Sequence, residues 1–247
     1  MNLFRTKLYE NYRSTAQKGT IDRLYFQRLK YAVARILPES KDVLMIDIGA
    51  GSGDNIAAVR NLGYKNIKGV DISPEQVQAA ADAGIDGVSC ADAFEWLEHN
   101  KNKYAVIFAL DLIEHFSKQE IIKFIELSFD ALEPKGVIIV RVPNSLVIAG
   151  YRYCDFTHQQ AFTSHSIAQA LRVGGFTDVE IRECAPEPVS VLGVIRLGLW
   201  KLVRLAIYLY FYVATGNAMG GVYSMNLIAV ARKNEAGKDL VNGSRDE

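Results

Sequence analysis

The sequence predicts an α/β fold built on a doubly wound, mainly parallel sheet, and three observations support this prediction. From Val43 onward, short apolar runs alternate with helical patterns. The apolar runs are nearly continuous, as expected for strands that helices cover on both faces. A glycine-rich turn, GAGSGD, joins the first apolar run to the first helical pattern. Repetition of strand and helix in this order is typical of a doubly wound sheet.

The individual elements follow from these patterns. Apolar runs predict strands at 43–49, 67–73, 86–92, 104–111 and 136–144, and later runs at 179–184 and 223–233 complete the sheet. Helices are predicted at 55–62, 74–83, 93–100 and 118–132, the last of them ended by the turn EPKG. An amphipathic helix is predicted at 20–37, where Pro38 closes it.

We expect five regions along the chain. Residues 1–40 form an N-terminal helical cap, and residues 41–185 form the core of the fold. Residues 186–222 form an apolar, amphipathic helical insertion, and residues 223–234 form the last core strand. The polar tail, 235–247, is expected to be disordered.

Charge and cysteine content narrow the classes of partner. The 28 basic and 28 acidic residues cancel, so nonspecific binding to nucleic acid is not expected. The cysteines Cys90, Cys154 and Cys184 are far apart and form no CxxC pair. This spacing argues against a disulfide framework or a thiolate zinc site. The charged N-terminus lacks the apolar core of a signal peptide, so a cytoplasmic location is predicted.

The loop IDIGAGSGD departs from the phosphate-binding fingerprint of dinucleotide enzymes. That fingerprint, G-x-G-x-x-G, needs a third glycine where this chain has Asp54. A carboxylate at the start of a helix competes with pyrophosphate for the free N–H groups, which we expect Asp54 to cap. Asp47 adds a second negative charge at the strand end. The loop therefore favours a ligand with a cationic end and no phosphate, such as S-adenosylmethionine.

Two further acidic residues follow the next strands. Asp71 ends the second strand, where its carboxylate can accept both hydroxyls of a ribose. Asp92 follows the third strand, where it can accept from an adenine amino group or cap the helix that begins at Ala93. The structural alternatives are a simple tight turn for the glycine loop, a solvent-facing acid for Asp71 and a helix cap for Asp92.

Five motifs in order resemble those of class I S-adenosylmethionine-dependent methyltransferases: IDIGAGSGD, GVDISPEQV, CADAFEWL, ALDLIEHF and LEPKGVIIVRVPN. The resemblance runs from about Val43 to Asn144 and continues more loosely to Lys233. It implies a Rossmann-like sheet of seven strands whose last strand, Tyr223–Arg232, is antiparallel. It also implies S-adenosylmethionine as cofactor. The cofactor-binding residues that it implies are Asp47, Gly49, Gly51, Gly53, Asp54, Asp71, Ile72, Asp92, Ala93 and Leu110.

The segment DLIEHF follows the fourth strand, at the mouth of the expected crevice. If it opens a helix, Asp111, Glu114 and His115 share one face. His158 lies further on, in the polar and aromatic loop YRYCDFTHQQAFT. Transfer of a methyl group to a neutral hydroxyl needs a base or a metal, because a neutral hydroxyl is a poor nucleophile.

This arrangement is similar to the acid-x-x-Glu-His motif, with a later histidine, of small-RNA 2′-O-methyltransferases, and ubiquinone-pathway O-methyltransferases carry a related motif. The similarity implies that Asp111, Glu114, His115 and His158 bind Mg or Mn together with the acceptor oxygen, with His115 and His158 at the catalytic centre. The departure is Asp111, where a longer glutamate is usual. Two alternatives stay open: His158 is a general base without metal, or both histidines are structural.

The insertion before the last strand is strongly apolar but carries Arg196, Lys201 and Arg204, so it does not predict a membrane-spanning helix. At 100° per residue these three cluster within about 140° of the circumference. The other side carries Leu192, Ile195, Leu199, Leu202, Ala206 and Leu209. A basic amphipathic helix is typical of a segment that lies on an anionic membrane surface. A lid or a dimer helix is the alternative.

Long insertions of this kind before GVYSMNLIAVA resemble methyltransferases of bacterial surface-polysaccharide pathways, over about Asp155 to Ala231. The resemblance implies an O-methyltransferase for a hydroxyl of a sugar nucleotide, glycan or lipid-linked glycan, peripheral on the inner face of the cytoplasmic membrane. One alternative is an RNA 2′-O-methyltransferase, which the neutral charge disfavours. Another is a non-catalytic, membrane-docked partner that binds S-adenosylmethionine. Both a monomer and a dimer are compatible with the sequence.

Overall fold

The computed structural model describes residue 33 and residues 35–147, 155–219 and 221–234. Most of the predicted N-terminal cap, the tail 235–247 and Cys154 therefore lie outside the described residues. From the predicted cap, Val33, Ile36 and Leu37 are buried against one face of the core.

Seven strands and six α-helices are present in the described part of the chain. The strands are β1 (Met45–Ile48), β2 (Ile67–Asp71), β3 (Val88–Cys90), β4 (Tyr104–Leu110), β5 (Leu132–Pro143), β6 (Asp178–Glu183) and β7 (Asn226–Arg232). The helices are α1 (Asp54–Asn61), α2 (Pro74–Asp82), α3 (Ala93–Glu98), α4 (Lys118–Ala131), α5 (Ser164–Val173) and α6 (Val191–Thr215). A short 3₁₀ helix spans Ile113–His115.

The strands form one sheet in the order β3-β2-β1-β4-β5-β7-β6. β7 runs antiparallel to both of its neighbours, and the other strand pairs are parallel. The predicted Rossmann-like, seven-stranded sheet with an antiparallel last strand is therefore confirmed. The strand order reverses between β1 and β4, where open α/β sheets bind their ligands beyond the carboxyl ends of the strands.

The central strands are buried on both faces, which explains their continuous apolar sequence. Ile46 and Ile48 of β1 belong to a core on one face, which α3, α4 and α5 cover. Met45 belongs to the core on the other face, which it shares with Ile56 and Val59 of α1. This alternation follows from the two-residue period of a strand.

One local prediction needs correction. The segment EPKG is not a separate turn, because it lies inside β5, which begins at Leu132 directly after α4. The pairing of β5 with β4 is irregular there, with a register shift between Tyr104 and Val106, and Lys135 has a left-handed φ of 66°. Such an irregularity lets the helix continue into the strand without an intervening loop.

Helix α6 occupies most of the predicted insertion, and one of its three cations pairs with the body of the protein. Arg204 Nε lies 3.1 Å from a carboxylate oxygen of Glu183, and its Nη2 donates to the carbonyl of Gly221 at 3.2 Å. Arg196 and Lys201 are exposed. No helix in the described residues combines the length and the apolar character that a membrane crossing requires.

Candidate active site

The glycine loop between β1 and α1 is held by Asp71 at the end of β2. One oxygen of Asp71 accepts from the N–H of Gly51 at 2.8 Å, and the other accepts from the N–H of Ser73 at 2.8 Å. Burial raises the pKa of the Asp71 carboxyl, while these two N–H donors lower it. Asp71 is thus fixed in position before any ligand binds.

The three loop glycines have the left-handed backbone that side chains rarely adopt, with φ of 75° at Gly49, 53° at Gly51 and 81° at Gly53. A Cβ at Gly49 would lie 2.9 Å from Leu112 Cδ1. The positive φ favours glycine at this position, and a larger residue would also displace the Leu112 side chain.

A cavity of about 200 Å³ lies beyond the carboxyl ends of β1, β2 and β4. It is lined by six of the predicted cofactor-binding residues: Gly49, Gly51, Asp71, Ile72, Asp92 and Ala93. The structure adds six residues that sequence reasoning missed: Val70, Gln76, Ala91, Phe94, Leu112 and Phe116. Leu112 and Phe116 lie on either side of the Glu-His pair in DLIEHF. Their apolar character in a loop at the end of a strand was the signal that could have indicated a place in the cavity wall.

Four predicted cofactor residues do not line this cavity. Asp47 is only 2% exposed in β1, and burial raises the pKa of its carboxyl to about 7. Gly53 is buried and is the N-cap of α1, so the expectation that Asp54 caps this helix is wrong. Asp54 is the first helical residue and accepts instead from the hydroxyl of Ser52 at 3.2 Å. Leu110 packs against one of the two cores.

Asp92 caps α3, as one of its two interpretations predicted. Its Oδ1 accepts from the N–H of Phe94 at 2.8 Å and from that of Glu95 at 3.2 Å. Its second oxygen makes no hydrogen bond within the described part of the chain. Because Asp92 also lines the cavity, this oxygen remains an available acceptor there.

The segment after β4 does not form the α-helix on which a shared face of Asp111, Glu114 and His115 depended. Asp111 has a left-handed φ of 53°, and only Ile113–His115 form a 3₁₀ turn. The Asp111 carboxylate turns to Arg141 of β5, whose Nε lies 3.0 Å from both of its oxygens. The shared helical face of Asp111 with Glu114 and His115 was therefore a wrong prediction, because the ion pair holds Asp111 on another side.

Glu114, His115 and His158 do come together. Each offers one ligand atom, and these atoms lie within 4.8 Å of one another. The two imidazole rings are 4.8 Å apart between centroids and are inclined by 66°. Among the described residues, this is the one group of three whose geometry could hold a metal ion, and Asp111 is not part of it.

Glu114 is the exceptional member of this cluster. Its side chain is 0% exposed, and neither carboxylate oxygen has a hydrogen-bond partner among the described residues. Burial raises the pKa of Glu114 well above its usual range, and the nearby Asp111 raises it further. A buried carboxyl without partners is costly unless a proton or a cation compensates it.

His115 is oriented by two residues of the loop that carries His158. The hydroxyl of Thr157 donates to Asp155 Oδ1 at 2.6 Å and lies 2.8 Å from His115 Nδ1. Because the single hydroxyl proton of Thr157 is donated to Asp155, the hydroxyl oxygen must accept from Nδ1–H of His115. The neutral ring then keeps Nε2 unprotonated. Burial lowers the pKa of His115, and the neighbouring His158 lowers it further, so the neutral form is favoured.

Gln159 fastens this loop to the 3₁₀ turn. Its N–H donates to the carbonyl of Glu114 at 2.8 Å, and its side-chain amide donates to the carbonyl of His115 at 2.8 Å. The loop is tied again where the N–H of Ser145 donates to the carbonyl of Phe162 at 2.8 Å. Sequence reasoning missed Thr157 and Gln159, because polar residues in a loop carry no periodic signal.

A family model described as a methyltransferase domain matches residues 18–181, well over half of the chain. The chain belongs to this methyltransferase family. The match covers the glycine loop, Asp71, Asp92, Glu114 and the loop with His158. The cavity described above therefore lies at the centre of the region that defines this family.

Solved structures share the fold of this methyltransferase. An S-adenosylmethionine-dependent methyltransferase from Archaeoglobus fulgidus matches with a TM-score of 0.61 at 20% identity, over 92% of this chain and 99% of that one. A possible histamine N-methyltransferase from Thermotoga maritima matches with a TM-score of 0.59 at 14% identity, over 86% and 91%. Phosphoethanolamine N-methyltransferase 2 from Haemonchus contortus, in complex with S-adenosyl-L-methionine, matches with a TM-score of 0.61 at 18% identity, over 93% and 56%. At these identities the likeness shows the fold alone.

The methyltransferase has a second cavity, of about 410 Å³, between the segment after β6 and the first turns of α6. Its wall includes Cys184, Arg196, Trp200, Ser224 and Met225. The indole N–H of Trp200 is buried and has no acceptor in the described residues. Burial raises the pKa of the Cys184 thiol to about 12, so this cysteine is not a nucleophile near neutral pH.

Proposed function

We propose that this protein transfers the methyl group of S-adenosylmethionine to a hydroxyl of a sugar or a lipid-linked glycan. The observation that carries the proposal is the cluster of Glu114, His115 and His158 beside the first cavity, which His115 also lines. A neutral amine can attack a sulfonium methyl group without help. A hydroxyl must lose its proton, which is the task that a base or a metal performs.

The first cavity suits S-adenosylmethionine better than a dinucleotide. Three carboxylates line it, from Asp71, Asp92 and Asp111. Because Arg141 already pairs with Asp111, it is Asp71 and Asp92 that favour a ligand with an ammonium and a sulfonium and that repel a pyrophosphate. Asp71 offers acceptors for the ribose hydroxyls, and the second oxygen of Asp92 offers one for the adenine amino group. Apolar neighbours such as Ile72 and Phe94 supply contact area for the adenine ring.

The cluster fits a divalent cation, because Glu114 is a buried carboxylate with no hydrogen-bond partner among the described residues and the two histidines complete a mixed set of donors. Mixed oxygen and imidazole donors suit Mn at least as well as Mg. When bound, such a cation would lower the pKa of the acceptor hydroxyl and orient its oxygen. Asp155 and Thr157 would keep His115 in the tautomer that presents Nε2. Without a metal, His158 is the base that takes the acceptor proton.

The second cavity is the proposed place for the remainder of the acceptor. It lies at the same edge of the sheet as the first cavity, because β6 ends and β7 begins there. The Trp200 indole N–H offers a donor to a sugar hydroxyl, and the indole face suits an apolar sugar face. One alternative acceptor is an RNA 2′-hydroxyl. The other alternative is a non-catalytic protein, which would have no acceptor.

The proposal is tested by methyl transfer from labelled S-adenosylmethionine to matched acceptors. We expect label in a sugar nucleotide or a glycolipid fraction, and none in an RNA transcript or in small amines. His158→Ala should abolish transfer to the sugar acceptor. Label that enters only RNA or only amines would contradict the proposed acceptor, and absence of transfer to every class would favour the non-catalytic alternative.

A further inference from the structure

Helix α6 is the least covered element of the described structure. Its 25 residues reach about 37 Å at 1.5 Å per residue, and none of them is buried. A single strip is half-buried against the body: Gly193, Leu197, Trp200, Ile207 and Phe211. Phe211 stacks on Tyr223 within this strip, with ring centroids 5.8 Å apart. The helix is therefore attached along one side and open along the opposite one.

The open side is apolar along the whole helix. We define the outer face of α6 as the side chains on this side: Leu192, Ile195, Leu199, Leu202, Leu209 and Val213. Their exposed fractions lie between 51% for Leu209 and 85% for Val213. Scattered exposed leucines are ordinary, but a continuous apolar face of this length marks an interaction surface.

The charges of α6 limit what can cover the outer face. The helix contains no acidic residue, and its three cations are Arg196, Lys201 and Arg204. Arg204 is engaged with Glu183 on the body side. On a helical wheel, Arg196 and Lys201 flank the half-buried strip about 140° apart, so the arc between them that contains the outer face spans about 220°. The occupant should therefore be apolar in its middle and negatively charged at both margins.

A second copy of the helix does not meet this requirement. Two outer faces packed together would leave Arg196 and Lys201 of each copy outside the contact, with no acidic residue of α6 to pair with them. A bilayer with anionic lipids meets the requirement, because its acyl region receives the apolar side chains while its phosphates face the cations.

We propose that the outer face of α6 docks in the plane of a bilayer that contains anionic phospholipids. The apolar side chains enter the boundary between head groups and acyl chains, typically to a depth of about 5–10 Å. Arg196 and Lys201 extend to the phosphates on either side. Tyr208 and Tyr212, which stack at 6.0 Å near the end of the helix, have the amphipathic rings that favour this interface. The docking does not depend on the identity of the methyl acceptor.

The first test uses flotation of the full chain with vesicles of phosphatidylcholine alone and of phosphatidylcholine mixed with phosphatidylglycerol. The wild type should float with the mixed vesicles, and less so at high salt, because salt screens exposed charges. The triple variant Ile195→Asp, Leu202→Asp, Leu209→Asp should lower binding by at least about ten-fold. Its thermal unfolding should match that of the wild type, since these side chains are exposed in the folded protein.

A second variant tests the charge requirement. Arg196→Glu with Lys201→Glu should weaken flotation with anionic vesicles. Lys65→Glu with Lys68→Glu, the same change of charge at exposed positions away from α6, should leave it unchanged. Failure of the wild type to bind either vesicle, or equal binding by the triple variant, would overturn the proposal. So would a dimer in sedimentation that the triple variant makes monomeric, with no lipid binding.

Discussion

Asp71 and Glu114 lie at the same edge of one sheet and are held in opposite ways. Both oxygens of Asp71 accept from backbone N–H groups of its own and the neighbouring strand's loop. Both oxygens of Glu114 are buried without a partner in the described residues. Asp71 therefore has hydrogen-bond partners before a ligand arrives, whereas Glu114 needs a proton or a cation. We infer that the cofactor half of the site is preorganised and that the catalytic half is completed on binding.

The largest expected effect on activity is at the cluster of Glu114, His115 and His158. Removing divalent metal with EDTA should lower turnover by about 100-fold or more, with recovery on adding Mn²⁺ or Mg²⁺. Glu114→Gln, which keeps the shape of the side chain, should lower the affinity for Mn²⁺ in calorimetry. Full activity of metal-stripped protein in EDTA would contradict the metal assignment and leave His158 as the base.

A third carboxylate, Asp47, is buried but does not line the first cavity. It therefore tests how the burial of a carboxyl group changes the free energy of unfolding. Its pKa is raised to about 7 in the folded protein, so the unfolded chain ionises near pH 4 while the folded chain keeps the proton. The unfolded state then binds fewer protons, and the free energy of unfolding falls between about pH 4 and pH 7, by up to about 4 kcal/mol.

Asp47→Asn should remove this part of the pH dependence, as measured by urea unfolding across that range. Asp82→Asn, at an exposed position of α2, is the matched control and should keep it. An unchanged slope in Asp47→Asn would show that Asp47 is not the group responsible.

The cofactor half of the site is tested at Asp71. Asp71→Ala should weaken binding of S-adenosylmethionine by about 1–3 kcal/mol in calorimetry, because the charged acceptor for the ribose hydroxyls is lost. Asp82→Ala should bind like the wild type. Tight binding of NADH by the wild type, with none of S-adenosylmethionine, would refute the cofactor assignment.

The smallest effect is expected at Thr157, which positions His115. Thr157→Val removes the hydroxyl between Asp155 and the ring, and should lower kcat by about ten-fold with little change in the binding of S-adenosylmethionine. Thr157→Ser keeps the hydroxyl and should restore the rate. Equal rates in the valine and serine variants would show that the tautomer of His115 does not matter.

Local patterns predicted six of the residues that line the first cavity, because these residues lie on or beside elements with a clear period. Gly49 and Gly51 stand between a strand and a helix, and Asp71 and Asp92 follow the next two strands. Residues such as Gln76 and Phe94 were not predicted to line the cavity, since helical side chains enter it only once the helices pack. Asp47 and Leu110 were assigned to the cavity because a strand end does not reveal which way its side chains point.

The sequence by itself determined the order of strands and helices, the glycine loop and the presence of a long helix with one basic side. These features depend on periodicity and backbone preference, which neighbouring residues set. Only the tertiary structure decided which residues meet. It brings His158 to Glu114, turns Asp111 toward Arg141, and pairs Arg204 of α6 with Glu183. Each of these outcomes depends on contacts between segments distant in the chain, which no local pattern encodes.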